Sequence, residues 1–375
     1  MTSSVTVADK RRLSFGFDRF SGFYLWAMFM VVFGFWKPSL FLTADTAHSV
    51  ASDQAIVAML GIALLIPLAA GAYDLSIGAN INLTAVLVAI LQVREGWGIG
   101  SSIAFSIAIG TLIGMINGFI VVVLKVSSFI ATLGMATIIG AFMAIATDQS
   151  QPLPPTANTW IKLTQQKIFG FQVVVIYLIV LALVVWWALD HTPAGRYIYA
   201  VGGNPEAARL SGVQVGKWTW LCLIASGAIS GAAGVLYSSL SGPSLTFGSA
   251  LLLPAFAAAF LGSTQLKPGR FNVWGTLIAV YVLATGVKGL QFVTSAQWLN
   301  DMFNGVALIT AVAFALWRQS ATVKRKRGQQ GALLPEATPG SEGSEEAART
   351  MPPVRTSVIS WTPDTTHRKQ KENER

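Results

Sequence analysis

Few side chains in this 375-residue sequence could do covalent or acid–base chemistry, and their spacing decides against most of it. His48, His191 and His367 stand far apart, Cys222 is the single cysteine, and no Cys/His set has the spacing of a metal site. The fragment Gly212-Val213-Gln214-Val215-Gly216-Lys217 has the wrong spacing for a phosphate-cradling loop and is followed by Trp218 instead of Ser or Thr, so the chain does not bind ATP by a P-loop. No nucleophile and base, and no pair of carboxylates, form a catalytic constellation. What remains is polar chemistry without bond making. Asp74 and Ser76 lie in AAGAYDLSIGANINL, and Asn80 and Asn82 follow at helical spacings. Polar groups inside an apolar stretch are costly and tend to mark a pathway. Two roles stay open for Asp74: N-cap of the helix that follows the Gly71 break, and direct contact with a permeating solute. The Asn82-Leu83-Thr84 sequon is accidental, because a glycan cannot sit within a membrane span.

The elements that must position these residues are apolar. Hydrophobic residues make up 53% of the chain and charged residues 11%, with a mean hydropathy of +0.58. That is about half the charge of an average soluble domain. A spanning helix needs about 20 mostly apolar residues. About ten candidates run near 21–36, 52–71, 75–93, 99–124, 128–147, 171–189, 217–238, 249–264, 271–287 and 298–317. The alternation of barrel strands is absent, so the fold class is all-α, a polytopic transmembrane helical bundle. Gly110, Gly114 and Gly118 repeat every four residues, as do Gly227 and Gly231, which lets helix backbones approach closely in lipid.

A net charge of +9 and a pI of 9.8 could point to nucleic acid, but the charges are placed otherwise. With ten spans and the N-terminus in the cytoplasm, one set of loops and flanks holds fifteen basic residues (Lys10, Arg11, Arg12, Arg19, Lys125, Arg196, Arg209, Lys217, Lys267, Arg270, Arg318, Lys324, Arg325, Lys326, Arg327). The opposite set holds five (Lys37, Arg94, Lys162, Lys167, Lys288). This positive-inside bias places both termini in the cytoplasm and makes the lipid bilayer, not nucleic acid, the partner of the basic charge. Residues 1–20 read as a basic cytoplasmic lead-in with an uncleaved first helix after it. Residues 21–318 form the transmembrane domain. Residues 319–375 begin as a basic flank and change to Gly, Pro, Ser, Thr and mixed charge, the composition of a disordered cytoplasmic tail.

The same orientation puts the polar loop 190–217 in the cytoplasm. Within it Asn204 suits an N-cap, Pro205 the first helical position and Glu206 the positive end of the helix dipole. Ala207, Ala208, Arg209 and Leu210 continue the helix and Gly212 ends it. Two turns of helix are unstable alone in water, so the bundle or a second protein must hold them.

Four blocks then resemble one family, the permease subunits of bacterial ATP-binding-cassette importers for ribose, xylose, arabinose and galactose, which are related to the branched-chain amino acid permeases. They are AGAYDLSIGA at 70–79, SSFIATLGM at 127–135, TPAGRYIYAVGGNPEAARLSGV at 192–213 and LPAFAAAFLGSTQLKPGRFNVWGTLIAV at 253–280. The resemblance spans about residues 20–318. It implies a bacterial inner-membrane protein without a cofactor of its own, a second permease copy, separate ATPase subunits and a periplasmic or lipid-anchored solute-binding protein. It also implies that 190–217 is the coupling loop, with Arg196, Gly202, Gly203, Asn204, Glu206, Ala207, Ala208, Arg209, Ser211 and Gly212 as its residues and Ala207 and Ala208 as its docking face. Asp74, Ser76, Asn80 and Asn82 are the candidate translocation path. In the outward loop 148–170, Trp160, Lys162 and Lys167 are candidate contacts for the binding protein. Ala72, Ser127-Ser128, Ser263 and Pro268 depart from the family pattern and leave the solute open. A stand-alone secondary carrier or channel is the alternative, but it would need an ion site of its own, and apart from Asp74 and the outer Asp301 ionisable groups are nearly absent at membrane depth.

Overall fold

The computed structural model describes residues 17–294, 296, 298–299, 302–310 and 312–313. The lead-in 1–16, the KRKR cluster and the tail, with His367, lie outside the described residues. Along the chain come α1 (Phe17–Trp36), α2 (Pro38–Phe41), α3 (Ala44–Asp53), α4 (Ala55–Ala69), α5 (Ile77–Val93), α6 (Ile99–Val122), α7 (Ser128–Thr147), α8 (Asn158–Gln165), the strands β1 (Lys167–Ile168) and β2 (Phe171–Gln172), then α9 (Val173–His191), α10 (Pro193–Gly203), α11 (Pro205–Leu210), α12 (Val215–Ser241), α13 (Phe247–Ser263) and α14 (Val273–Val293). Residues 302–310, within the tenth candidate span, are helical too.

Among the described residues five helices, α6, α7, α9, α12 and α14, are long and apolar enough to cross a membrane, and a sixth span forms if α3 and α4, bent by 41°, count as one. The stretch Gly22–Trp36, α5 and α13 are apolar but shorter. The chain is therefore a multi-pass helical membrane protein. Helix α4 shows why length alone misleads. All fifteen of its residues are buried inside the chain, among α9, α12, α13 and α14. A helix apolar on every side, as AIVAMLGIALLIPLA is, belongs in such a place. Helix α7 is the opposite case: it packs on α5 and α6, and leaves Ile130, Phe142 and Ile145 exposed on its outer face.

The most extensive helix contact joins α6 to α12, and glycine makes it possible. A Cβ on Gly114 would stand 2.4 Å from the Leu223 carbonyl oxygen; one on Gly110 would stand 2.8 Å from the Gly231 Cα; one on Gly227 would stand 2.6 Å from the Gly110 oxygen. The four-residue glycine spacing thus sets backbone against backbone.

One element departs from the all-α expectation. Strands β1 and β2 pair antiparallel, Lys167 with Gln172 and Ile168 with Phe171. Phe169 (φ 51°) and Gly170 (φ 87°) make the turn, both in the left-handed region that suits a tight hairpin. An aromatic residue in that conformation is uncommon, so the sequence carries no turn signal there. Glycine suits position 170 because its φ of 87° strains any other side chain, and an added Cβ would also displace the His48 ring.

The connecting segments gather at two ends. At one end Gly202 meets Ala69, Tyr73 meets Ser128, Asp190 meets Lys267 and Tyr199 meets Phe271. At the other, His48 packs on Phe171 at 4.5 Å, Lys288 lies 3.8 Å from Asp53, and Gln165 bonds to the carbonyls of Ser239 and Leu240.

The glycine contact has a direct check. Gly114→Leu should prevent α6 and α12 from closing and yield aggregated protein on size exclusion in detergent, whereas Gly134→Leu on α7, where nothing lies within 4 Å of the added Cβ, should elute as wild type.

Candidate functional site

The first candidate region begins where α4 runs out. Ala70 N–H and Ala72 N–H both donate to the Pro67 carbonyl, at 3.0 and 2.9 Å, and Gly71 adopts φ 78°. Residues 71–75 are then non-helical until Ser76, the N-cap of α5. Asp74 is therefore not itself the N-cap but stands two residues before it. Its Oδ1 accepts from the Ser76 N–H at 3.1 Å and from the Ser76 hydroxyl at 2.6 Å. Asn117 on α6 donates its amide to Ser76 Oγ at 2.8 Å. Ser226 on α12 lies beside the carboxyl, and Oδ2 has no hydrogen-bond partner among the described residues. The break is thereby tied to α6 and set against α12.

Asn80 and Asn82 diverge. The Asn80 amide donates to Gly227 O at 3.0 Å, to Ser230 Oγ at 2.8 Å and to Gly110 O at 3.3 Å, so it reads the glycine contact from the side. Asn82 instead accepts from Gly248 N–H at 2.6 Å and donates to Leu245 O at 3.0 Å, holding the start of α13. Asp74, Ser76, Asn80 and Asn82 are each at most 2% exposed. Within the chain they face neighbouring helices. Asn117, Ser226 and Ser230 complete this network; the i, i+4 pair of serines in an apolar helix is the sequence signal that points to the last two.

The second region is the loop 190–217, which forms two helices, α10 and α11, each with an exposed side. Asn204 Oδ1 accepts from Ala207 N–H at 3.0 Å, with Pro205 at the first helical position and Glu206 in the first turn. Gly212 (φ 82°) ends α11: its N–H donates to Arg209 O and that of Val213 to Ala208 O, both at 3.0 Å. This pair of bonds to the last turn is a Schellman ending. Arg209 and Glu206 pair at 2.9 Å in full view of solvent, where such pairs contribute little. Exposure separates the two alanines expected to share one face. Ala208 is 5% exposed and turns into the chain's own core, whereas Leu210 is 84% exposed and Ala207 is exposed. The bundle holds α11 through Ala208, so the exposed apolar face is Ala207 and Leu210.

Helix α10 is anchored more firmly. Tyr199 donates its hydroxyl to Phe271 O at 2.6 Å, and the Arg270 guanidinium lies 3.5 Å from its ring centroid. Burial pushes the Tyr199 phenol up, against the lowering influence of Arg270, so it stays a donor at neutral pH. Asp190 accepts from Lys267 at 2.6 Å and has Arg270 at 3.8 Å. Among the described residues nothing lies within 4 Å of a Cβ added at Gly203, whereas Gly202 is pressed against the end of α4. Arg196 is exposed.

The family described as branched-chain amino acid transport system, permease component, matches residues 46–312. The chain belongs to this family. Among its relatives, the fructose import permease protein of Rhizobium meliloti is 31% identical over 299 residues, 77% of this chain and 82% of the relative. The ribose import permease protein of Haemophilus influenzae is 30% identical over 277 residues, 72% and 85% of the two chains. The autoinducer 2 import system permease protein of an Enterobacter species is 28% identical over 301 residues, 78% and 86%. No solved structure matches. The protein is thus a permease subunit of an ABC importer, a transport subunit and not an enzyme. Both regions described above, 71–82 and 190–217, fall inside the matched segment of the permease.

The carboxyl of Asp74 separates charge from hydrogen bonding. Asp74→Asn keeps an acceptor for Ser76 and should fold with a melting temperature near wild type. Asp74→Ala strands a buried N–H and a hydroxyl, which costs about 1–3 kcal/mol. A clear drop in the thermal midpoint of the detergent-solubilised Ala variant, absent in the Asn variant, is the expected result.

Proposed function

We propose that this permease carries a sugar or sugar-like solute into the cell across the bacterial inner membrane, paired with a second permease copy and driven by ATPase subunits that dock on the loop 190–217. The relatives named for fructose, ribose and D-allose support a monosaccharide, and the autoinducer 2 relative keeps a small polar signal in view. The observation that carries the reading is α11: a capped, two-turn helix held by its own chain through Ala208, yet presenting Leu210 almost bare to solvent. An isolated exposed leucine is ordinary, but one at the tip of a rigid, capped helix is pre-organised for a groove on a partner. Arg196, Gly202, Gly203, Asn204, Glu206, Ala207, Ala208, Arg209, Ser211 and Gly212 are the coupling residues in this reading. Asn204 and Gly212 set the shape, and Ala207 and Leu210 make the contact.

The orientation follows from charge. The end that gathers Ala69, Tyr73, Ser128, Asp190, Tyr199, Lys267 and Phe271 is rich in basic loops and is assigned to the cytoplasm. The tenth span, the cytoplasmic placement of both termini and the division into a lead-in at 1–20, a transmembrane domain at 21–318 and a tail at 319–375 belong to the same assignment. The opposite end then faces the solute-binding protein. Trp160 is a poor contact for it, being 1% exposed, whereas the hairpin tip residue Phe169 is 96% exposed. Lys162 and Lys167 are exposed as well. Asp74, Ser76, Asn80 and Asn82 serve the translocation path by fixing α5 to α6, α12 and α13, so that the helices beside the path keep their spacing.

Two measurements test this. In a Cys222→Ala background, the cysteines introduced by Thr156→Cys and Ser211→Cys should label from opposite faces of right-side-out vesicles, the first from outside; labelling of both from outside overturns the orientation. Leu210→Glu should leave expression and insertion normal while transport is lost and little ATPase is recovered with the purified permease. Glutamate is a good helix former, so a defect there is not loss of α11. Full ATPase recovery with Leu210→Glu means that α11 is not the contact.

A further inference from the structure

Gly202 connects the loop to the polar break. A Cβ on Gly202 would stand 2.1 Å from the Ala69 carbonyl oxygen and 2.9 Å from its carbon, and a Cβ on Gly71 would stand 3.5 Å from the Gly202 Cα. The end of α10 therefore touches the end of α4 and the break beyond it, backbone to backbone, with no flexible side chain to absorb a shift. Helix α4 cannot absorb one either, because it is buried along its whole length and packed interiors compress little. The piece with no helical ladder to stiffen it is the segment 71–75, which is anchored at Asp74 to Ser76 and through Ser76 to Asn117.

On its far side that segment holds α7. Tyr73 N–H donates to Ser128 Oγ at 3.0 Å and Leu75 N–H donates to Thr132 Oγ1 at 3.0 Å. Thr132 is fully buried, and its hydroxyl also bonds to Ser128 O at 2.8 Å. Both hydroxyls lie in the first turns of α7, a spanning helix with a broad exposed face. We propose that Gly202, the Gly71 break and the Ser128 and Thr132 hydroxyls are positioning residues that transmit displacement of the loop 190–217 to α7, making α7 a moving helix of the transport cycle. This rests on the reading of that loop as the ATPase contact. Each hydroxyl accepts from a backbone N–H of the break, so a shift of the break carries the α7 terminus with it.

The test uses the full permease–ATPase complex in vesicles, with Ile130→Cys, at an exposed position on α7, as reporter in a Cys222→Ala background. In this parent, labelling of the reporter thiol by a water-soluble maleimide should change when ATP and vanadate trap the complex. With Thr132→Val added, ATPase recovery should be unchanged, the labelling change should disappear and transport should fall roughly tenfold, within the range of a coupling between two sites. Thr132→Ser should restore both, since it returns the hydroxyl. Ser128→Ala, near the surface, should give a smaller loss of the same kind. Unaltered transport and an unaltered labelling change in Thr132→Val with bound ATPase overturn the proposal, as does a parent whose reporter labelling ignores the trap. Failure of the parent to retain any ATPase sinks instead the reading of the loop, so the two failures are distinct.

Discussion

The approach of α6 to α12 at backbone distance is the constraint on which the rest of the structure depends. With glycine at positions 110, 114, 227 and 231, the carbonyls of Gly110 and Gly227 come within reach of a single amide, that of Asn80. In lipid there is little hydrophobic gain in pressing two apolar helices together; close packing and interhelical hydrogen bonds must hold them. Asn80 supplies the bonds and glycine supplies the space. Once α5 is fixed to that pair, Ser76 lies in reach of Asn117, and the start of α5 becomes a fixed point for the break that precedes it. A larger residue at any of these glycines would separate the amide from both carbonyls at once, leaving polar groups unpaired where no water can replace them.

Much of this is legible in the sequence, and what is not has physical reasons. The four-residue glycine spacing announces a close helix contact but not its partner, since spacing specifies a face and says nothing of what meets it. Asn204, Pro205, Glu206 and Gly212 give α11 nearly residue by residue, because caps are local chemistry. Ala208 escapes that reading for the converse reason. Ala207 and Ala208 are alike in type, and only the path of the chain back onto its own bundle decides which one is buried. Asp74 suits an N-cap by type yet acts from two residues earlier; the helix begins later because the chain first makes a left-handed turn at Gly71. The hairpin at 167–172 is invisible in the sequence, its turn built on a Phe in a conformation that phenylalanine rarely adopts. Trp160 reads as an exposed loop aromatic, yet it is among the largest fully buried side chains, with its carbonyl accepting from Ser239 Oγ at 2.6 Å.

Hydropathy alone does not say what surrounds a helix. Hydropathy sees apolar composition, and α4 is apolar because protein surrounds it. Helices α5 and α13 are 17 residues long and carry polar side chains that bond inward, so they too take their apolar character partly from the core. In a permease this is what an inner layer requires. Helices that face lipid need only be greasy, whereas those that hold the packing must combine small residues with a few amides and hydroxyls, and it is the second group that the sequence marks most clearly.

The loop 190–217 and the amide network in the core meet at one place, the turn after Ala69. On one side stands Gly202 of α10, itself fastened by Tyr199 to Phe271 and, through the shared Arg270, to Asp190. On the other stand the hydroxyls of α7. From Gly202 to the start of α7 the contacts are backbone on backbone or hydrogen bonds from a backbone N–H to a hydroxyl, and neither kind tolerates much slack: the first is limited by hard repulsion, the second weakens steeply with distance and angle. A loop joined in this way cannot move far without moving the break, and the break cannot move without breaking its bonds to α7 or taking α7 along. Breaking them would cost the partly buried Leu75 N–H its partner, so the lower-energy course is for α7, a helix only loosely enclosed by the bundle, to follow.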